Sequence, residues 1–204
     1  MRTTVKLILP SKKEKIKQLE NYEDTCPYCD SKVIYMTGEK FKKITEYYTD
    51  NANIPSYMDN ADMLVCSSYP FCNSYCIPSL NQEGLFVGTV ASKELRKQRQ
   101  LAHYCINIIY KTQIISTRKG CYYWLSRNMK TRLERTHVSL FNMKQSKKAI
   151  RLCSDYINNN IENIKTFKNL SEAEIYYLRY IFEKFVKRFS TSFFIPTAVE
   201  VLLL

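Results

Sequence analysis

Two stretches, CPYC at 26–29 and CSSYPFC at 66–72, carry the strongest structural signal in this 204-residue chain. Two Cys separated by two residues, with the turn-forming Pro27 and Tyr28 between them, place both thiolates about 2.3 Å from one Zn²⁺. Five residues separate the sulfurs of the second stretch, so its loop must fold over before the last Cys reaches the metal. We therefore predict one zinc ion, and its predicted ligands are Cys26, Cys29, Cys66 and Cys72.

Four thiolates fill the tetrahedral coordination of zinc, so the ion is expected to be structural and to contribute folding energy. The 36 residues between the two Cys pairs exceed the roughly 12 to 20 usual for such sites, which predicts an insertion at about 37–62. Cys76 is an alternative ligand, in place of Cys66 or Cys72, if the wide loop does not close. The remaining cysteines fall in predicted helices and are expected to be small buried hydrophobes; they are Cys105, Cys121 and Cys153.

The composition is that of a folded globular protein, with 45% apolar and 25% charged residues. No stretch approaches the roughly 20 consecutive apolar residues that cross a bilayer, and the first residues lack the pattern of a secretory signal. We therefore expect a cytoplasmic protein without a membrane partner. Its eight Cys are then expected to be reduced thiols or metal ligands rather than disulfides.

The hydrophobic periodicity changes near residue 92. Short apolar runs between turn residues predict strands and knuckles before this point, and helical spacing follows it. Ser92 and either Ser116 or Thr117 are candidate helix N-caps, a further helix is predicted over about 143–158, and residues 171–174 carry a capping-box signature. The predicted fold class is α+β, a small β zinc ribbon followed by a mainly α-helical bundle. The predicted regions are an N-terminal leader or accessory helix at 1–24, the zinc ribbon with its insertion at 25–91, a basic helical region at 92–160, and a C-terminal helix with an apolar tail at 161–204.

Positive charge is concentrated in one segment of the chain. The formal net charge is +12, and residues 90–151 hold 15 Lys and Arg but 2 Glu, a local net charge of +13. Such cations neutralise phosphates with release of counterions, and any exposed aromatics beside them offer stacking surfaces for bases. Trp124 lies in an apolar helical stripe, so we expect it to be packed. We expect a nucleic-acid partner, DNA rather than RNA. The predicted contact residues are Lys93, Arg96, Lys97, Arg99, His103, Arg118, Lys119, Arg127 and Lys130.

Two resemblances to known families accompany these patterns. The form of CSSYPFC at 66–72 resembles the zinc ribbons at the C-terminal end of bacterial type I topoisomerases. From residue 26 to about 153 the chain resembles a zinc-finger-containing family of unassigned function, found largely in phages and prophages, which implies a phage-encoded protein of the host cytoplasm. The segments that carry this second resemblance are FVGTVASKELRKQRQLAH at 86–103, TRKGCYYWLSRNM at 117–129 and HVSLF at 137–141.

Two other functions compete with nucleic-acid binding. His103 and His137 are the only histidines, and with nearby arginines they are candidates for a phosphodiester-cleaving site. The basic segment holds only two carboxylates and so lacks the acidic cluster that binds Mg²⁺ in metal-dependent nucleases; we expect structural histidines and no enzymatic activity. The alternative function is a phage protein–protein interaction factor, either a modulator of a host enzyme or a virion or packaging component, with residues 193–204 as a possible docking segment.

Overall fold

The computed structural model describes residues 11–48, 56–80 and 86–188. The chain divides into two compact units, residues 1–96 and 97–204, with the division inside a long helix. We call them the ribbon unit and the helical unit. The predicted tail segment 193–204 lies outside the described residues. The α+β fold class predicted from the sequence is confirmed.

The ribbon unit is built on a three-stranded antiparallel sheet in the order β1-β2-β3. A capped helix, α1, precedes it, with the Ser11 hydroxyl accepting from the Glu14 N–H. In the sheet, Val33 at the start of β1 lies opposite Cys66 at the end of β2, so the two Cys stretches are brought together by strand pairing. The elements are α1 (Lys12–Glu20), β1 (Val33–Thr37), α2 (Gly38–Tyr48), a 3₁₀ turn (Ser56–Met58), β2 (Asp62–Cys66), β3 (Tyr75–Cys76), β4 (Ser79–Leu80) and β5 (Phe86–Val87), the last two forming a separate antiparallel pair.

The segment predicted as an insertion connects two paired strands. Thr37 ends β1 directly opposite Asp62, which begins β2, and the chain between them contains α2 and the 3₁₀ turn. Residues 25–91 contain the expected short strands, and the insertion holds a helix that the sequence pattern did not predict. Helix α2 forms because Phe41 packs on Met36, Met58 and neighbouring apolar residues. Its first residue must be Gly38, since a Cβ there would overlap the carbonyl oxygen of Met58.

In the described part of the helical unit, four helices pack around an apolar core. Each helix contributes fully or nearly buried residues, for example Ile109 of α3, Leu125 of α4, Ile157 of α5 and Leu178 of α6. The predicted caps are confirmed, since the Thr117 side chain accepts from the Gly120 N–H and residues 171 and 174 bond reciprocally. The helices are α3 (Lys93–Lys111, beginning in the ribbon unit), α4 (Arg118–Met129), α5 (Met143–Asn159) and α6 (Glu172–Arg188), with 3₁₀ turns at Leu133–Arg135, Val138–Leu140 and Ile161–Asn163.

Among the described residues, none of the helices combines the length and the apolar character required to cross a membrane.

Candidate metal centre and basic surface

The first knuckle is a tight turn held by its own backbone. The Cys26 N–H donates to Ser31 O at 2.8 Å, and the Asp30 N–H donates to Cys26 O at 2.9 Å. Asp30 has φ = 57°, in the left-handed region that Asp and Asn tolerate better than most residues. This turn brings the two sulfurs of CPYC to one side of the chain.

The second knuckle closes its wider loop by two successive turns. The Tyr69 N–H donates to Cys66 O at 2.9 Å, and the Cys72 N–H donates to Ser68 O at 3.0 Å. A bond of 3.0 Å from the Cys66 N–H to Ser74 O joins the two ends of the loop. The loop folds over, as its five-residue spacing predicted, and this places the Cys72 sulfur beside the other three.

The four predicted ligands converge. Their Sγ atoms all lie within 4.8 Å of one another, with 3.6 Å between Cys26 and Cys72 and 3.4 Å between Cys29 and Cys66. A regular tetrahedron with Zn–S distances of about 2.3 Å has sulfur–sulfur edges of about 3.8 Å, so the cluster fits one zinc ion without rearrangement. The Ser31 and Ser68 hydroxyls, 2.7 Å apart, also join the two knuckles, and the sequence pattern did not predict this contact.

The protonation of the thiols differs with their surroundings. Hydrogen bonds from the Ser31 hydroxyl and backbone lower the pKa of Cys29 to about 6, whereas burial raises the pKa of Cys66 to about 12. A buried thiolate is unfavourable unless a cation compensates its charge. Zn²⁺ supplies that charge, so the buried half of the cluster is suited to a metal and poorly suited to an isolated thiolate.

The other cysteines are not ligands of this cluster. Cys76 lies in β3 opposite Leu64 and outside the group of converging sulfurs, so the alternative that it replaces Cys66 or Cys72 is wrong. The pairing of β2 with β3 holds Cys76 in the strand beside β2, apart from the second knuckle. The three cysteines predicted as buried hydrophobes all lie in the core of the helical unit, which confirms that prediction: Cys105, Cys121 and Cys153.

The β-hairpin scaffold and the closed set of four thiolates define a structural zinc-binding module. The chain belongs to the family described as a zinc-finger-containing domain, whose model matches residues 22–156. The match extends beyond the ribbon unit and includes α3, α4 and most of α5. No curated protein and no solved structure matches the chain.

Six of the nine predicted nucleic-acid contacts are exposed. None of these six forms an ion pair within the part of the chain that the structure describes, where the ion pairs are Lys42–Asp59, Lys43–Glu39 and Lys111–Glu174. Arg127 lies over the exposed ring of Tyr123 and donates to its hydroxyl at 3.0 Å. The exposed residues are Lys93, Lys97, Arg118, Lys119, Arg127 and Lys130.

Two of the predicted contact arginines are engaged inside their own units. Arg96 stacks on Tyr75, 3.6 Å from the ring centroid, and donates to the backbone oxygens of Asn73 and Ala91 at 2.9 and 2.6 Å. Arg99 is only 7% exposed, and its Nε donates to Phe141 O at 2.8 Å. A helical wheel of α3 alone does not show these acceptors, because they belong to distant segments.

The two histidines are partly buried in the helical unit. Burial, together with the nearby side chains of Arg118, His137 and Arg99, lowers the pKa of His103 to about 4. His137 also has a lowered pKa, through burial and Arg118, and its ring stacks on Tyr122 with 5.8 Å between centroids. Both imidazoles are therefore neutral at pH 7.

Trp124 packs against another aromatic residue rather than standing free for a base. Its ring lies 4.4 Å from that of Tyr156, between centroids, and the side chain packs on the core of the helical unit. Tyr123, the preceding residue of α4, is 53% exposed. If this helix offers a stacking surface, it is therefore Tyr123 that carries it.

Proposed function

We propose that this protein is a zinc-ribbon nucleic-acid-binding protein that contacts phosphates through a basic surface of its helical unit. The observation that carries the proposal is the set of exposed cations on α3 and α4 that form no ion pair among the described residues. All of the six exposed predicted contacts except Lys93 lie in the helical unit, where uncompensated Lys and Arg create a field that attracts polyanions. The zinc ion has a structural role in this proposal and takes no part in binding phosphate.

A salt-titrated binding assay tests this function. Each phosphate contact releases condensed counterions, so affinity for generic DNA falls linearly in a log–log plot of binding constant against salt. We expect steep salt dependence, tighter binding to DNA than to RNA of equal length, and little dependence on base sequence. Absence of DNA binding at low salt would refute the proposal.

A matched pair of triple variants locates the surface. Lys97→Gln, Lys119→Gln and Lys130→Gln remove three exposed cations of the helical unit, whereas Lys13→Gln, Lys32→Gln and Lys40→Gln remove three exposed cations of the ribbon unit. Both variants remove the same charge. The first should weaken binding to all sequences and reduce the salt slope by about one for each lysine that touches a phosphate, and the second should leave both unchanged.

We extend the proposal to the origin of the protein, its location in the cell and its lack of enzymatic activity. We infer a phage-encoded protein of the host cytoplasm from the resemblance of residues 26–153, and a topoisomerase-like ribbon from the form of the second knuckle. We also propose that it binds without cleaving, since carboxylates are scarce in the basic segment and neither histidine is protonated to act as a general acid near pH 7. Plasmid and single-stranded substrates incubated with Mg²⁺, Mn²⁺ or chelator should remain intact.

A second candidate function is a protein–protein interaction factor, and exposed aromatics in the ribbon unit favour it. Phe71, inside the second knuckle, is 89% exposed, and Tyr48 and Tyr47 at the end of α2 are 55% and 81% exposed. The ring of Tyr48 lies 6.2 Å from that of Phe71 and 4.9 Å from that of Tyr47. Exposed aromatic clusters are typical of interaction sites. Recovery of one host protein from nuclease-treated lysate by the parent chain, and its loss with Phe71→Ala, would favour this candidate.

A further inference from the structure

Three segments of the helical unit bring a group of hydrogen-bond donors together. Helix α3 contributes Arg99 and His103, one turn apart, and α4 contributes Arg118 and Tyr122, also one turn apart. Residues four apart on a helix lie on one face. The segment before α5 contributes His137. We call these five residues the donor cluster.

Contacts between the segments hold the donor cluster in place. The rings of Tyr122 and His137 are nearly parallel, with an interplanar angle of 16°, and His137 Nδ1 lies 3.1 Å from the Ser139 hydroxyl. Arg99 ties α3 to the same segment through its bond to the Phe141 carbonyl. The imidazole and phenol rings are therefore preorganised rather than free to rotate.

The charged groups that act on the cluster are cations. Besides burial, Arg118 and Arg99 lower the pKa of His103, and Arg118 lowers that of His137. Arg118 is exposed and forms no ion pair among the described residues. The Arg118 guanidinium therefore attracts anions to this site, because its charge is less screened at a partly buried position than in water.

The phenol of Tyr122 is a second sign of an incomplete site. Its Oη atom is buried and has no hydrogen-bond partner of good geometry within the described chain. A buried hydroxyl without a partner is unfavourable. Burial raises the pKa of this phenol, and the nearby Arg118 guanidinium opposes that rise, so the hydroxyl is protonated and able to donate. Buried polar groups in native proteins are nearly always satisfied by protein, water or ligand.

We propose that the donor cluster is a binding site for one phosphate group, with Arg118 as its principal charged contact and His103, His137 and Tyr122 as neutral donors around it. Guanidinium groups bind phosphate oxygens through two parallel N–H donors, and charge-assisted bonds of this kind are among the strongest in proteins. Phosphate suits this chemistry because its oxygens accept from guanidinium, imidazole and phenol donors alike.

This inference rests on the proposed function in one respect only: the phosphate of a nucleic-acid backbone is the ligand we assign. The same chemistry would accept a free phosphomonoester. The two sources differ in charge, since a phosphodiester carries one negative charge and a phosphomonoester up to two, so ligands of both types distinguish them.

Imidazole NMR tests the site directly, because the chain holds only two histidines and both belong to the cluster. The zinc-loaded protein at pH 6.5 is titrated with a thymidine dinucleotide or with inorganic phosphate, at constant ionic strength set by chloride. We expect saturable shifts of the ring nitrogen signals of both histidines with the dinucleotide. Unchanged signals with both ligands would overturn the proposal. Shifts with inorganic phosphate alone would overturn the assignment to the nucleic-acid backbone.

A matched pair of single variants identifies the contact. Arg118→Gln and Arg151→Gln each remove one exposed arginine of the helical unit, and Arg151 is neither a predicted contact residue nor part of the donor cluster. Arg118→Gln should weaken dinucleotide binding at least about tenfold, while Arg151→Gln changes it little. Equal effects would mean that only general electrostatics is at work, against the proposal. If the parent chain responds to the dinucleotide but does not bind longer DNA, the wider nucleic-acid function is refuted and the phosphate site stands. Failure of the site and failure of the function are therefore distinguishable.

Discussion

At the residue scale, the cysteines divide into those that form the zinc site and those that have the same side chain but lie elsewhere. Eight Cys are present, and four of them have sulfurs within 4.8 Å of one another. The distinction follows from strand register. Cys66, at the end of β2, lies opposite Val33, which follows the first knuckle, whereas Cys76 lies in the neighbouring strand β3. Identical residue types in one short stretch thus have different roles.

Substitution of a ligand should release the metal. Cys29→Ser or Cys72→Ser removes one of four thiolates, and the hydroxyl that replaces it is a poor zinc ligand, so zinc content should fall well below one per chain. Cys105→Ser, in the core of the helical unit, should retain one zinc per chain. Metal analysis of the three purified variants checks this, and stoichiometric zinc in either ligand variant would contradict the assignment.

The buried His103 should make stability depend on pH. Its pKa is about 4 in the folded protein, below the ordinary value of 6.5. Between these values the unfolded chain binds a proton that the folded chain does not, so the free energy of unfolding decreases as pH falls from 6.5 to 4. The loss is at most about 3 kcal/mol.

Urea unfolding at pH 7, 6 and 5 measures this dependence, and His103→Gln supplies the comparison. The variant lacks the titrating ring, so its unfolding free energy should change less over the same range whatever its stability at pH 7. Parallel pH profiles for parent and variant would show that His103 does not contribute.

At the element scale, the start of α3 is fixed by Arg96. Its guanidinium reaches two backbone oxygens and the side-chain oxygen of Asn73 and stacks on Tyr75. Asn73 directly follows the second knuckle and Tyr75 begins β3, whereas Ala91 lies just before α3. The helix is thereby attached to the zinc module within the ribbon unit, and Arg96 is a structural residue of that unit.

Loss of this guanidinium should destabilise the ribbon unit. Arg96→Ala should lower the free energy of unfolding by about 2 kcal/mol, because backbone acceptors lose a charged donor and the ring loses its cation. Arg96→Lys should recover only part, since an ammonium cannot reach several acceptors in a planar fork. Lys97→Ala, its exposed neighbour, should change stability by no more than about 0.5 kcal/mol. Equal unfolding curves for Arg96→Ala and Lys97→Ala would refute this role.

At the scale of the whole molecule, the two units depend differently on zinc. The four ligands all lie in the ribbon unit, where three of them, Cys26, Cys66 and Cys72, also belong to a small apolar cluster. The helical unit has a core of its own, formed by residues between 102 and 181. Zinc therefore supports the first unit directly.

Chelation should expose this difference. Removal of zinc takes away the main cross-link of a small module, so amide hydrogen exchange should accelerate over residues 26–76 and remain slow in α4 and α5. Mass spectrometry of the chain with and without chelator measures both regions in one experiment. Equal acceleration in both units would show that the helical unit depends on the metal as well.

Features governed by local chemistry could be predicted from the order of residues alone. Cys spacing identified all four ligands, because knuckle geometry depends on a few consecutive residues, and Thr117 and Ser171 marked helix starts, because a cap bonds to its own first turn. Other features emerged only in the folded chain: helix α2 within the insertion, the exclusion of Cys76, the burial of Arg99 and the assembly of the donor cluster. Most of these features depend on residues far apart in the sequence, as in the bond from Arg99 to Phe141. The bond from Arg96 to Asn73 is of the same kind. Residue spacing within one segment carries no information about such partners.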